Sequence, residues 1–134
     1  MEKLKIAIQT KGRLNEDSME LIRESGIDLN MGKRKLVSTA GNFPMEALFL
    51  RDDDIPQTVA DGVADVGIVG ENEMLEKQEE VVIAKRLGFS KCRLSLAIPK
   101  ATNYTGVEYF NGKKIATSYP NILRKYLEEK NVEA

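Results

Sequence analysis

The strongest constraint on the fold of this chain is a short apolar run, Val66–Val69, between Asp65 and Gly70. Continuous apolar residues without alternation are typical of a strand buried on both faces, as in the parallel sheets of α/β proteins. An earlier strand, Ala47–Leu50, leads directly into the charged sequence Arg51–Asp54. The pattern predicts an α/β fold. Ligands of open α/β sheets bind at the carboxyl ends of strands, so both ends of the stretch Leu50–Glu71 point to one candidate site.

The composition excludes several classes of site. The chain has no histidine, which excludes Ser/His and Cys/His catalysis and the common His-ligated metal sites. Its one cysteine, Cys92, excludes an internal disulfide and a cysteine-only zinc site. The net charge of −1, with scattered basic residues, argues against a nucleic-acid partner. No apolar stretch has the length of a signal-peptide core or a membrane span, so we expect a cytoplasmic protein with no membrane partner.

The N-terminal segment predicts a strand, a turn and a helix. Leu4–Gln9 alternates and ends in the turn Thr10-Lys11-Gly12-Arg13. Three residues are candidate caps for the helix that follows: Asn15, Asp17 and Ser18. Backbone N–H groups at a helix N-terminus attract anions, so the turn is either a phosphate contact or a connecting turn whose Lys11 and Arg13 are solvated. The same two interpretations apply to the basic triplet Lys33–Lys35.

The three aspartates after Arg51 also leave two interpretations open. Like charges repel, which favours a solvated turn in which Asp54 caps a helix opened by Ile55-Pro56. Alternatively, one aspartate binds a polar ligand or Mg²⁺ together with Arg51, since Mg²⁺ takes only one or two protein carboxylates. Gly67, inside the buried strand, predicts close approach by another backbone or by a ligand.

The second half of the chain alternates further strands and helices. A helix is predicted to begin at Gly70-Glu71-Asn72, and Arg93 and Ser95 share one face of a later strand. The predicted strands are Val81–Ala84, Arg93–Ile98 and Lys114–Thr117, and a last helix capped by Ser118 covers Pro120–Lys130. Residues 101–112 are polar and contain Asn and Gly, which is typical of a linker. We therefore assign residues 1–100 to a first α/β lobe, and residues 101–134 to the linker and the start of a second lobe.

Four collinear stretches resemble the ATP phosphoribosyltransferase family of histidine biosynthesis. They are KGRL (11–14), LRDDDIPQTVADGVADVGIVGEN (50–72), CRLSLAIPK (92–100) and KIATSYPNILRKY (114–126). The resemblance implies a fold like that of type II periplasmic binding proteins, with two α/β lobes, the first nearly complete here and the second truncated. It also implies the condensation of ATP with phosphoribosyl pyrophosphate (PRPP) to phosphoribosyl-ATP and pyrophosphate, with Mg²⁺. The nucleophile would be adenine N1, which carries its own lone pair and suits a chain without histidine.

The resemblance further implies which residues contact the nucleotide, with Arg13 beside phosphate or ribose and Tyr119 packed against adenine. The full set is Lys11, Gly12, Arg13, Arg51, Asp54, Gly70, Glu71, Arg93, Ser95, Thr117, Ser118 and Tyr119. The family's PRPP loop, roughly Asp-x-x-x-Asp-Leu-x-x-x-Gly-x-Thr-Leu, would lie beyond residue 134. The alternative to the transferase function, for this chain by itself, is a non-catalytic fragment that binds nucleotides or anions. Such a fragment would need the C-terminal part of the enzyme for catalysis. The parent enzymes are expected to be homo-oligomers or complexes with a regulatory subunit.

Overall fold

A computed structural model describes residues 2–29 and 36–134, and the triplet Lys33–Lys35 lies outside these ranges. The chain divides into two compact units, the first ending at Lys91 and the second running from Cys92 to Ala134. This division differs from the predicted lobes in residues 92–100, which cluster with the second unit. The assignment of those residues to a lobe stays a prediction.

The first unit is built on a mixed four-stranded sheet, which confirms the predicted α/β class. Its strands are β1 (Leu4–Gln9), β2 (Val37–Thr39), β3 (Met45–Leu50) and β4 (Val66–Gly67). Their order is β2-β3-β1-β4, with β1 parallel to both of its neighbours and β2 antiparallel to β3. The bounds of β1 are as predicted, whereas β4 covers only part of the apolar run. Beyond Gly67, one further bond, from Ile68 N to Ala7 O at 3.0 Å, joins this run to β1.

Helices cover both faces of this sheet, so its strands bury apolar side chains on both faces. The helices are α1 (Arg13–Glu24), α2 (Ile55–Ala60) and α3 (Glu71–Lys77) in the first unit, and α4 (Pro120–Glu129) in the second. Side chains alternate across a strand, so Ile6 and Ile8 of β1 join the core cluster that contains Met19 of α1. Ala7, between them, joins the other cluster with Ile55 of α2.

Three predicted helix caps differ from the structure. Helix α1 begins at Arg13 after Gly12, so the candidate caps lie inside the helix. Asn15 instead donates its Nδ2 hydrogen to Gln9 O at 2.7 Å, and Ser18 Oγ donates to Leu14 O at 2.6 Å. The third candidate, Asp17, accepts a hydrogen bond from Ser90 Oγ at 2.6 Å. All three side chains therefore make contacts that fix α1 to its surroundings or to its own backbone.

Gly67 is closely approached, as predicted: two side chains are its nearest neighbours, and the backbone oxygen of Ala7 would lie 3.7 Å from a Cβ atom built there. A Cβ atom built on Gly67 would lie 2.6 Å from Ile55 Cγ2 and 3.1 Å from Val59 Cγ2. Helix α2 therefore packs directly onto the backbone of β4. The absence of a side chain at this position is what lets the two elements approach so closely.

The predicted strands Val81–Ala84, Arg93–Ile98 and Lys114–Thr117 are not formed in the described part of the chain. A strand exists only through hydrogen bonds to a neighbouring strand, and no described segment pairs with these three. The second unit is instead centred on a cluster in which Leu127 of helix α4 packs with Phe110 and Val132. Among the described helices, none is both long and apolar enough to cross a membrane.

Candidate functional site

The carboxyl ends of three parallel strands lie side by side in the first unit, because β1 is flanked by β3 and β4. Gln9 at the end of β1 is in register with Leu50 at the end of β3. The next residue, Thr10, donates its backbone N–H to Leu50 O at 2.8 Å. The turn Lys11–Arg13 and the cluster Arg51–Asp54 therefore start from adjacent positions at the carboxyl ends of the strands. Ligands of open α/β proteins bind at these ends.

The turn after β1 presents backbone donors together with two cations. Gly12 has φ 97° and ψ −172° and precedes the first residue of α1, and no side chain caps this helix. The first intrahelical bond is from Glu16 N to Gly12 O at 3.0 Å, so the preceding N–H groups have no partner within the helix. Lys11 and Arg13 are both exposed on either side of Gly12. Helix N-termini attract anions, and these charges add to that attraction.

The three aspartates after β3 form a turn of 3-10 helix, Asp52–Asp54, that continues into α2. Asp54 occupies the predicted N-cap position, but its side chain makes no capping bond. Its φ of −91° and ψ of −16° are helical, whereas a capping residue normally adopts extended angles. Asp52 Oδ1 accepts a hydrogen bond from Asp53 N at 2.9 Å. This hydrogen bond orders the cluster locally, but the predicted Asp54 cap is not formed, and the choice between a solvated turn and a ligand contact stays a prediction.

Asp53 is the aspartate of this cluster that interacts with Arg51. The Nε atom of Arg51 lies 3.4 Å from Asp53 Oδ1, and the Arg51 side chain is 80% exposed. This contact is an ion pair without a hydrogen bond, so the buried Oδ1 atom has no hydrogen-bond partner among the described residues. Because the Arg51 side chain is largely solvated, this ion pair adds little stability, and replacing the carboxylate by another anion would cost little.

An ion pair between Arg86 and Glu71 follows strand β4 in the chain. Gly70 precedes helix α3, whose first residue, Glu71, accepts a hydrogen bond from Arg86 Nη2 at 2.9 Å. This hydrogen bond and the positive charge of Arg86 lower the pKa of the Glu71 carboxyl below its ordinary value. Sequence reasoning missed Arg86, since it lies in an irregular segment 15 residues from Glu71 where no periodic pattern signals contact.

The second unit contains a cavity of about 860 Å³ that is lined by Ser95, Thr117 and Tyr119, three of the predicted site residues. Arg93 and Ser118 belong to the same unit but are exposed and lie outside this lining. The Thr117 Oγ1 atom accepts a hydrogen bond from Tyr119 N at 2.9 Å, and Tyr119 rather than Ser118 precedes the first residue of α4. The predicted Ser118 cap is therefore wrong by one position.

Aromatic rings form one wall of this cavity. Tyr104, Tyr109 and Phe110 pack in edge or tilted contacts with ring centroids 5.3–6.1 Å apart. The Nζ atom of Lys113 lies 5.0 Å from the centre of the Tyr109 ring, a cation–π contact. The cavity thus combines flat apolar surface with positive charge. In the described residues of either unit, no three His, Cys, Asp or Glu side chains converge to hold a metal ion.

Comparison with known proteins identifies the family. The sequence model of HisG, described as ATP phosphoribosyltransferase, matches residues 51–134, which is more than half of the chain. This chain belongs to the ATP phosphoribosyltransferase family. The ATP phosphoribosyltransferase of Parabacteroides distasonis is 65% identical over 131 residues, which are 98% of this chain and 46% of that protein. That of Bacteroides thetaiotaomicron is 63% identical with the same coverage.

A solved structure agrees with this assignment to the ATP phosphoribosyltransferase family. The ATP phosphoribosyl transferase (HisG:HisZ) complex from Thermotoga maritima has a TM-score of 0.66 and 25% sequence identity. The similarity covers 97% of this chain and 61% of that one.

The chain spans about half the length of the curated family members it matches. Arg51 and Glu71 lie inside the family match, whereas the turn Lys11–Arg13 precedes it.

Proposed function

We propose that this chain supplies the nucleotide-binding part of an ATP phosphoribosyltransferase, which condenses ATP with PRPP in the first step of histidine biosynthesis. The observation that carries the proposal is family membership, with 65% identity to a curated ATP phosphoribosyltransferase over 98% of the chain. The geometry of the first unit supports it, because the turn Lys11–Arg13 and Arg51 start from adjacent strand ends. These groups suit a ligand that carries several negative charges.

The proposed reaction needs positioning and charge stabilisation rather than a covalent nucleophile from the protein. Adenine N1 forms a bond to the anomeric carbon of PRPP with its lone pair, and the bond from that carbon to pyrophosphate breaks. Pyrophosphate leaves with the bonding electrons, so negative charge develops on its oxygen. Two polyanions must therefore be held together and the departing charge must be stabilised. Lys11, Arg13 and Arg51 provide cations for this task.

Mg²⁺ is part of this proposal as an ion that arrives with the substrate phosphates. The residues present fit such an ion better than a cage made by the protein, since Mg²⁺ usually takes one or two carboxylates plus phosphates. Asp53 Oδ1 is the atom best suited to contribute, because it is buried and accepts no hydrogen bond from another described residue. When bound, Mg²⁺ would neutralise charge on the phosphates, and Asp53 would orient it from the protein side.

The finer features of fold and assembly are also proposals. Similarity to the Thermotoga maritima structure supports the type II periplasmic-binding-protein-like arrangement of two lobes. That structure is a complex of HisG with HisZ, which supports assembly of the present protein with a regulatory subunit or with further copies of itself. We also place the protein in the cytoplasm, where nucleotide substrates are available.

A second candidate function is nucleotide or anion binding without turnover. It applies to the 134 residues taken by themselves. We expect the purified chain to bind ATP or AMP in titration calorimetry but to release no pyrophosphate from ATP, PRPP and Mg²⁺. Pyrophosphate release by the chain alone would exclude this candidate, and failure to bind either nucleotide would contradict both.

A chimera tests the transferase proposal itself. The matched part of the Parabacteroides distasonis enzyme is replaced by this chain, and pyrophosphate release is measured. Because the two sequences are 65% identical, we expect the chimera to fold and to turn over. Arg51→Ala should abolish or strongly reduce turnover, whereas Arg23→Ala, at the far end of α1, should not. A folded chimera without pyrophosphate release would refute the transferase assignment of this chain.

A further inference from the structure

Asn15 joins the first turn of helix α1 to the end of strand β1. Its Nδ2 atom donates a hydrogen bond to Gln9 O at 2.7 Å, and its side chain is half-buried. The bond closes residues 10–14, which contain the turn Lys11–Arg13, into a loop. In the sequence Asn15 is a candidate cap, but in the fold its amide links the two elements between which the turn lies.

The carbonyl of Gln9 lies where the pairing between β1 and β4 ends. Carbonyls two residues apart on a strand point to the same side, and Ala7 O accepts a bond from Ile68 N, which follows β4, at 3.0 Å. Gln9 O therefore points to that side as well, beyond the paired residues of β4. In the described part of the chain, Ile68 is the last residue of this apolar run that bonds to β1. The Asn15 amide thus supplies the donor that a longer β4 would provide.

The turn Lys11–Arg13 depends on bonds outside itself for a fixed conformation. Its central residue, Gly12, has φ 97°, and glycine has more conformational freedom than any other residue. All three residues of the turn are exposed. On the strand side, Thr10 N donates to Leu50 O at 2.8 Å, and on the helix side the Asn15 amide holds the chain. The bond on the helix side is made by a side chain, so a substitution can remove it without changing the turn.

We propose that Asn15 is a positioning residue for the binding of nucleotide phosphates at the turn Lys11–Arg13. Asn15 acts through the turn and not by contact with the nucleotide, because its Nδ2 atom is bonded to Gln9 O. It holds the two cations and the N–H groups at the start of α1 in one arrangement before the phosphates arrive. Donors that are already ordered bind an anion more tightly, since binding no longer has to order them. This inference rests on the proposed function, in which the turn contacts the nucleotide.

The test removes the donor and compares a ligand that has phosphates with one that has none. Asn15→Leu keeps the approximate shape of the side chain, and NMR titration of the isotope-labelled 134-residue chain measures the affinities for ATP and for adenosine. We expect ATP affinity to fall about tenfold, which corresponds to ordering roughly one backbone residue on binding. Adenosine affinity should stay unchanged, whereas general damage to the fold would weaken both ligands. Unchanged ATP affinity, or an equal loss for both ligands, overturns the proposal.

Ser25→Ala is the matched control for this substitution. Ser25 Oγ donates to Leu21 O at 2.9 Å at the other end of the same helix, so the control loses one bond from a side chain to the backbone but leaves the turn intact. It should leave both affinities unchanged, and a loss of ATP affinity equal to that of Asn15→Leu overturns the proposal. Urea unfolding of each variant confirms that it is folded. If Asn15→Leu does not fold, Asn15→Ser takes its place with the same expectations, because a serine side chain is too short to reach Gln9 O.

Kinetics of the chimera with the Parabacteroides distasonis enzyme separate positioning from chemistry. Asn15→Leu should raise KM for ATP about tenfold and leave kcat unchanged, since an ordered turn holds the nucleotide equally in the ground state and the transition state. A fall in kcat at unchanged KM overturns the proposal.

Failure of this inference is distinguishable from failure of the proposed function. A wild-type chain that binds no nucleotide, together with a wild-type chimera that releases no pyrophosphate, contradicts the proposed function and the inference with it. A wild type that binds ATP and turns over, with an Asn15→Leu variant that does so equally well, contradicts only the role of Asn15.

Discussion

Substitution of Gly67 by alanine tests how closely helix α2 packs on strand β4. The added Cβ would lie 2.6 Å from Ile55 Cγ2 and 3.1 Å from Val59 Cγ2, both nearer than ordinary van der Waals contact. Ile55 is fully buried and its Cγ2 methyl is bonded to Cβ, so the methyl can move away only if χ1 changes. The two elements must therefore separate, or the side chains must leave their preferred rotamers.

The expected loss of stability follows from two opposing terms. Adding a methyl group to a packed core costs about 1–3 kcal/mol. Replacing glycine restricts the unfolded chain, which returns about 0.4–1 kcal/mol. We therefore expect Gly67→Ala to lower the free energy of unfolding by about 1–2 kcal/mol. Gly41→Ala is the control, because a Cβ there meets nothing within 4 Å and its φ is outside the left-handed region. It should be neutral or slightly stabilising.

Equilibrium urea unfolding, followed by circular dichroism, measures both variants. The midpoint should fall for Gly67→Ala while the dependence on urea stays unchanged. Ile55→Leu moves the branch that causes the contact, so the double variant Gly67→Ala/Ile55→Leu should lose less stability than the sum of the single variants. Wild-type stability in Gly67→Ala, or strict additivity in the double variant, would refute the packing described here.

Three other substitutions test individual residues of the first unit. Arg13→Ala should weaken ATP binding by about 1–3 kcal/mol in titration calorimetry, the usual effect of losing a charged hydrogen bond. Arg86→Ala should raise the pKa of Glu71 in an NMR titration, since Arg86 holds that pKa below its ordinary value. A lowered carboxyl pKa in the folded state means that the pair stabilises the protein above the unfolded-state pKa, and that this contribution is lost as pH falls through the folded-state pKa. Ser90→Ala removes the 2.6 Å hydrogen bond to Asp17 and should cost about 1–2 kcal/mol in urea unfolding.

Each of these substitutions has a control at a comparable residue. Arg23→Ala removes a cation from the last turn of α1, away from the strand ends, and should leave ATP affinity unchanged. Lys85→Ala removes the neighbouring charge but not the hydrogen bond to Glu71, so that pKa should stay low. Ser25→Ala breaks only a local bond to Leu21 O and should cost less than Ser90→Ala. Equal effects in a variant and its control would contradict the contact concerned.

The sequence was most informative where structure depends on neighbouring residues. The strand Leu4–Gln9 has its predicted bounds, and the helix predicted to open at Ile55-Pro56 begins there. Periodicity and proline position are properties of a few consecutive residues, so they can be read without knowing the fold. The family, and with it the expectation of a nucleotide substrate, was likewise carried by short collinear stretches, and the match over residues 51–134 confirmed that family.

Tertiary structure decided every feature that needs a distant partner. The strand pattern of Arg93–Ile98 is clear in the sequence, yet a strand forms only when a second one supplies hydrogen bonds, and no described segment does so. The contact of Arg86 with Glu71 and that of Ser90 with Asp17 join residues that no local pattern relates. The sequence alone determined where strands and helices are favoured and which cations follow the first strands. The fold decided which of these cations follow neighbouring strand ends, because adjacency in a sheet depends on pairing between residues far apart in the chain.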